Sequence, residues 1–177
     1  MFGLGGKRRR REQAYGLYAR AVAQARDPAF YDAMGVPDTV DGRFEMIALH
    51  VYLILRRLKP EGADAADLSQ ALFDAMFEDM DRSLREMGVG DLSVGKRVKA
   101  MARGFYGRIK AYDEGLAAED PAVLAEAMRR NLYGTGAPDG AQCAGMAAYL
   151  RREADALTAL PGETVMAAEY AFGPPPA

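Results

Sequence analysis

The 177-residue sequence has no tryptophan, one histidine (His50) and one cysteine (Cys143). A lone cysteine forms no internal disulfide and, without a CxxC pair, holds no zinc, so a reducing cytoplasm fits best. A lone histidine excludes a His-based metal cluster, and any Ser-His-Asp triad would have to be built on His50. Long hydrophobic runs are also missing: the longest, Met46 to Leu55, is broken by His50 and Tyr52 and falls well short of the roughly 20 residues that cross a bilayer. Met1 to Gly6 is too short for the apolar region of a secretory signal, and the arginines that follow lack the hydrophobic stretch of a twin-arginine export signal. No period-2 alternation long enough for a strand is found, nor any internal repeat.

What is present belongs to a globular helical chain. The residues are 50% hydrophobic and 27% charged, the balance of a folded domain, and the length suits one domain with a single core. The net charge of −2 hides a polarity: without the five cations Lys7, Arg8, Arg9, Arg10 and Arg11 the remainder stands at −7. Such a run is either a solvated tail or a patch attracted to anionic lipid or RNA. The expected architecture is an all-α single-domain bundle of about six to eight helices. Residues 1–11 form a basic N-terminal tail, 12–172 the helical domain, and 173–177 a flexible Pro-rich tail.

The helices follow from periodicity and punctuation. Glu12 to Arg26 reads as the first. Asp27-Pro28 opens a short second one to Met34 as an N-cap followed by proline at the first helical position. From Asp41 to Leu58 apolar residues fill nearly every face, so this helix should be surrounded by its neighbours and centre the core. After Pro60 to Gly62, Asp64 or Asp67 caps a helix that Gly88 and Gly90 end. Asp91 or Ser93 then caps the most amphipathic segment. There Val94, Val98, Met101, Phe105, Ile109, Tyr112 and Leu116 share one face, while Lys96, Lys99, Arg103 and Lys110 cluster opposite. Asp120-Pro121 opens a helix to about Leu132, Ala141 to Leu160 forms another, and a short turn follows Pro161-Gly162.

Tests for chemistry return mostly structural readings. Gly90 to Lys96 matches the GxxxxGK spacing of a phosphate loop, but Arg97 stands where magnesium needs Ser or Thr, and helix rather than a buried strand precedes it. His50 reads as a hydrogen-bonded core histidine and Cys143 as a buried thiol. The acidic cluster Asp74, Glu78, Asp79, Asp81 and Glu86 lacks the Glu-x-x-His motifs of a di-metal bundle; Asp81 with Arg85 and Arg82 with Glu86 explain it as local pairs. Ten methionines mostly fill the core, with a fraction suited to an adaptable surface. No catalytic residue, metal site or cofactor site emerges.

The stretch Leu72 to Tyr112, LFDAMFEDMDRSLREMGVGDLSVGKRVKAMARGFYGRIKAY, resembles the ubiquinol-cytochrome c chaperone family, the assembly factors of the cytochrome bc1 complex. It combines Asp79-Met80-Asp81, Leu84-Arg85-Glu86-Met87-Gly88, Gly90-Asp91, Val94-Gly95-Lys96, Phe105-Tyr106-Gly107-Arg108 and Tyr112, with weaker similarity from about Phe30 to Leu160. The resemblance implies a non-enzymatic chaperone without a cofactor that binds newly made cytochrome b. The motif residues Asp79, Asp81, Arg85, Glu86, Gly88, Gly90, Asp91, Gly95, Lys96, Tyr106 and Arg108 would then dock client or partner. The basic residues Lys7 to Arg11, Lys99, Arg103 and Lys110 would face a ribosome or an anionic membrane. The family also implies a small helper protein and gives no role to DNA. The absence of an amphipathic presequence points to a bacterial cytoplasmic member, free or peripheral on the cytoplasmic face of the inner membrane. The alternative is a ribosome-, RNA- or membrane-surface-binding helical adaptor without chaperone activity.

Overall fold

The computed structural model describes residues 4–134 and 136–176, with side chains from Gly6 onward. Eight α-helices and one 3-10 turn follow one another: α1 Leu4–Ala25, α2 Ala29–Asp32, α3 Val40–Leu58, the turn Lys59–Glu61, α4 Ala63–Glu86, α5 Asp91–Ala117, α6 Pro121–Asn131, α7 Gly140–Ala159 and α8 Gly162–Met166. No strand occurs among the described residues. The architecture is all-α, as the periodicity predicts.

Helix α3 is the axis. Phe44, Met46, Leu49, Val51, Leu53, Ile54 and Leu58 are buried on several of its faces, and α1, α4, α7 and α8 all pack against it. Its start is fixed locally. The Thr39 side chain accepts from the Gly42 amide, and Gly42 lies so close to the Pro37 carbonyl that a Cβ there would collide with it. Its end is tied to the end of α7. Buried Arg57 donates from Nε to the Leu157 carbonyl at 2.9 Å and from its NH2 nitrogen to the Leu160 carbonyl at 2.7 Å, satisfying acceptors that a helix terminus leaves open.

Three local expectations change. The helix of α4 starts from Gly62 with no side-chain cap, because Asp64 already sits in its first turn and Asp67 pairs with Arg10 at 3.1 Å. Likewise α5 starts from Gly90 without a side-chain cap, since the Asp91 carboxylate is taken by Arg85. Arg82 turns to Asp79, at 3.9 Å, instead of Glu86.

Of the two expected tails, residues 1–3 and 177 lie outside the described residues, and the described parts make contacts within the chain. The basic run Lys7 to Arg11 is helical and continuous with α1. It lies against acidic α4, where Arg10 meets Asp67 and Arg11 lies 3.6 Å from Glu78. At the other end, the Gly173 amide donates to Glu153 Oε2 at 2.9 Å and its carbonyl accepts from Gln24 at 2.8 Å. Arg152 bonds the Pro174 carbonyl. Residues 173 and 174 are therefore strapped to α1 and α7, and the preceding Phe172 ring stands edge-on to His50 with centroids 4.9 Å apart.

That histidine is the hydrogen-bonded core residue the sequence suggests. Its Nδ1 lies 2.8 Å from the Met46 carbonyl, which can only accept, so Nδ1 carries the proton and Nε2 accepts from the Tyr149 hydroxyl at 2.8 Å. Tyr149 in turn accepts from Gln24. Protonating Nε2 would strand the hydroxyl proton, and burial pushes the imidazole pKa down to about 4. The unfolded residue titrates near 6.5, so its stabilising contribution is full above that pH and is lost as pH falls towards 4. Denaturant titrations should show a loss of about 2 kcal/mol from this group between pH 7 and pH 5, and His50→Gln should abolish that component.

Candidate functional site

The family-like junction is a fastened corner. Gly88, with φ of +81°, closes α4: the Val89 amide reaches the Leu84 carbonyl at 3.1 Å and the Gly88 amide the Arg85 carbonyl at 2.9 Å. This six-to-one and five-to-two pairing uses the left-handed conformation that glycine adopts most cheaply. Arg85 bridges the corner, donating to Asp81 at 2.6 Å on α4 and to Asp91 on α5. The phosphate-loop-like run Gly90 to Lys96 is the cap and first turns of α5, with helix before it.

The docking residues inferred from the resemblance separate into two sets. Asp79, Asp81, Arg85, Asp91 and Arg108 join helices or neighbouring turns. Asp79 accepts from the Tyr18 hydroxyl of α1 at 2.7 Å. Arg108 makes a two-pronged pair with Glu45 of α3. Gly104, one turn earlier on α5, leaves room for that guanidinium to fold back along the helix, where a Cβ would meet it. Burial pushes the Glu45 carboxyl upward against the opposing pull of Arg108. The second set is open to solvent: Glu86, Gly88, Gly90, Gly95, Lys96 and Tyr106 are all exposed. Of the basic residues, Lys7, Arg8, Arg9, Arg11, Lys99, Arg103 and Lys110 are exposed, and Arg10 is half-buried.

Towards the ends of α4 and α5 remote from this corner, α3, α4 and α5 enclose an open groove of about 1260 Å³. Its apolar walls are Tyr52, Leu55, Phe73, Tyr106, Ile109 and Leu116, and Arg56, Lys59, Glu61 and Asp113 add charge. The aromatic contacts continue inward: Phe73 lies 5.7 Å from Tyr106, 4.7 Å from Phe77 and 6.0 Å from Phe105. Tyr52 donates to Asp113 at 2.7 Å, and Asp113 lies 3.8 Å from Arg56, so these three polar groups answer one another. The volume exceeds the usual range for small-molecule pockets, roughly 300 to 1000 Å³.

Several of these walls escape the sequence reading. Leu55 falls only within the apolar run Met46 to Leu55 and Phe73 only within the stretch Leu72 to Tyr112, because a groove is assembled from three helices and has no local signature. The methionines do not line it. Met76 and Met80 are buried, and the exposed Met87 borders a different cleft of about 620 Å³ between α1, α3 and α4. Cys143 is buried as expected, and burial pushes its thiol pKa up. Among the described residues no group of His, Cys, Asp and Glu could hold a metal ion.

The described chain is thus a helical scaffold with a largely apolar open groove and a clasped two-helix corner. Residues 32–172 match the Ubiquinol-cytochrome C chaperone family, and the chain belongs to that family. It is 28% identical over 150 residues to ubiquinol-cytochrome-c reductase complex assembly factor 1 of Xenopus laevis, covering 85% of this chain and 74% of that protein. The mouse counterpart is 29% identical over 150 residues, 85% of this chain and 50% of its own length. The mitochondrial protein CBP3 of Saccharomyces cerevisiae is 32% identical over 108 residues, 59% of this chain and 32% of its own. The crystal structure of the Cbp3 homolog from Brucella abortus superimposes with a TM-score of 0.83 at 37% identity, covering 95% of this chain and 93% of that one.

The Arg108–Glu45 pair should behave as a clasp. Arg108→Met leaves a buried carboxylate without a counter-ion and should lower the unfolding free energy by on the order of 3 kcal/mol. Combining it with Glu45→Leu should restore most of that loss in denaturant titrations.

Proposed function

We propose that this protein is a chaperone for assembly of the ubiquinol-cytochrome c reductase complex, and that its client is newly made cytochrome b. The observation that carries the reading is the family match across residues 32–172, whose relatives are named for assembly of that complex. The groove between α3, α4 and α5 supplies a physical reason. A membrane-protein segment outside the bilayer exposes apolar area worth about 25 cal/mol per Å², and the walls formed by Leu55, Phe73, Tyr106 and Ile109 offer it cover. Among the residues lining the groove there is no histidine, and Ser69 and Thr158 are its aliphatic hydroxyls, a set suited to holding a chain rather than cleaving one.

The client would be met at the cytoplasmic face of the membrane. No helix among the described residues is long and apolar enough to cross a bilayer.

Tyr106, 61% exposed at the groove wall, is the position from which to test this. A photocrosslinking residue placed there should form an adduct with cytochrome b in growing cells. Deleting the gene should lower both cytochrome b abundance and reductase activity; unchanged levels of the two would reject the role.

A further inference from the structure

Helix α5 carries an unusual imbalance. Residues 92–112 contain six basic residues and no acidic one. Elsewhere most arginines are matched locally: Arg8 with Glu12, Arg10 with Asp67, Arg43 with Asp38, Arg129 with Glu126. On α5, Arg108 is consumed by Glu45, and Lys110 lies 3.8 Å from Glu114 at the far end. Lys96, Arg97, Lys99 and Arg103 have no carboxylate within ion-pair reach among the described residues. Four uncompensated cations within eight residues repel one another, and an external anionic surface would relieve what solvent and salt leave unscreened.

The geometry sharpens the point. At 3.6 residues per turn, Leu92, Lys96, Lys99, Arg103, Tyr106 and Lys110 fall within about 40° of a single line along the outward side of α5. All six are exposed, Leu92 at 90% and Tyr106 at 61%. Leu92 and Tyr106 bracket the three unpaired cations of this line and stand about 21 Å apart at 1.5 Å per residue. The opposite side of the helix is spent on the core through Val94, Phe105 and Tyr112.

We propose that this outward stripe docks the protein flat on an anionic lipid surface, with Leu92 and Tyr106 as shallow anchors and Lys96, Lys99 and Arg103 on the headgroups between them. Phosphate alone does not explain the stripe. An aliphatic side chain exposed at 90% gains nothing from a nucleic-acid backbone, whereas Leu and Tyr both gain at a headgroup boundary. The rest of the chain is net acidic, so attraction acts only where the stripe faces the surface. Tyr106 also belongs to the groove, so docking on this face would set the groove's α5 wall at the lipid boundary. This deepens the proposed chaperone role by naming where the groove is held, and the lipid contact itself requires no client.

The test uses the purified full chain without cytochrome b. Vesicles of phosphatidylcholine with 30 to 40% phosphatidylglycerol, a composition chosen on the order of natural anionic membranes, are sedimented with the protein in about 0.1 M salt. The chain should co-sediment with these vesicles, not with pure phosphatidylcholine, and should be released by about 0.5 M salt. Each cation contributes roughly fivefold to partitioning, so Lys96→Gln, Lys99→Gln and Arg103→Gln together should weaken it by about 100-fold. Leu92→Ser and Tyr106→Ser should each weaken it by about threefold or more while far-UV circular dichroism stays unchanged. No binding to the anionic vesicles, or binding that these substitutions leave intact, would overturn the inference. So would tighter binding to a single-stranded RNA 20-mer that is indifferent to Leu92→Ser. A chain that crosslinks to cytochrome b from Tyr106 but ignores vesicles would sink this inference alone; one that binds vesicles without affecting cytochrome b would sink the chaperone role alone.

Discussion

Because α3 is enclosed by other helices, each polar group it turns inward has to be answered by another part of the chain, and those answers set the arrangement of everything else. Glu45 is met by Arg108 of α5, His50 by Tyr149 of α7, and Arg57 by two carbonyls at the end of α7. Tyr52 reaches Asp113 of α5. Leaving any such group unmatched in the interior is worth about 1 to 3 kcal/mol or more against the fold. Apolar packing alone would let helices slide or rotate; the directional bonds give α5 and α7 one register each against α3. The groove exists because α5 is held to α3 near residues 108 and 113 and to α4 at the Arg85 corner, leaving the space between them unfilled.

The helical order was readable because most signals are local. The all-round apolar character of Met46 to Leu58 placed α3 at the centre, and the seven-residue apolar line of α5 anticipated its buried and half-buried face, with Val94, Phe105 and Tyr112 at the bottom. Proline and aspartate at Asp120-Pro121 marked α6, where the Asp120 side chain accepts from the Ala122 amide. The caps of α4 and α5 differ from expectation because Asp64 lies inside the first turn and the other carboxylates are drawn to arginines, Asp91 to Arg85 and Asp67 to Arg10, which nothing near Asp67 in sequence advertises. Arg82 pairs with Asp79, three residues before it, and not with Glu86, four residues after it, a choice that depends on rotamer and neighbours.

The site was legible only in part. Residues singled out by resemblance at the junction are there, but the contacts of Asp79, Arg85 and Arg108 hold helices together, so their recurrence in such a motif is explained by architecture as readily as by docking. Of the open members, Lys96 makes no ion pair within the described residues, and Tyr106 leans one side of its ring on Phe73 while staying 61% exposed. The groove walls come from positions 52 to 116 spread over three helices, and no window of sequence contains them together.

The strap formed by Phe172, Gly173 and Pro174 has a consequence for how the fold is completed. His50 is synthesised early, yet its aromatic surroundings close only when Phe172 arrives, and Gln24 of α1 finds the Gly173 carbonyl only then. Closing contacts this distant in sequence demands that a long stretch of chain be ordered first, which slows the final step. During synthesis the seam between α1, α3 and α7 stays open until residues 172 to 174 have left the ribosome, so the core of a protein proposed to shelter another nascent chain is itself sealed more than a hundred residues after His50 has been made.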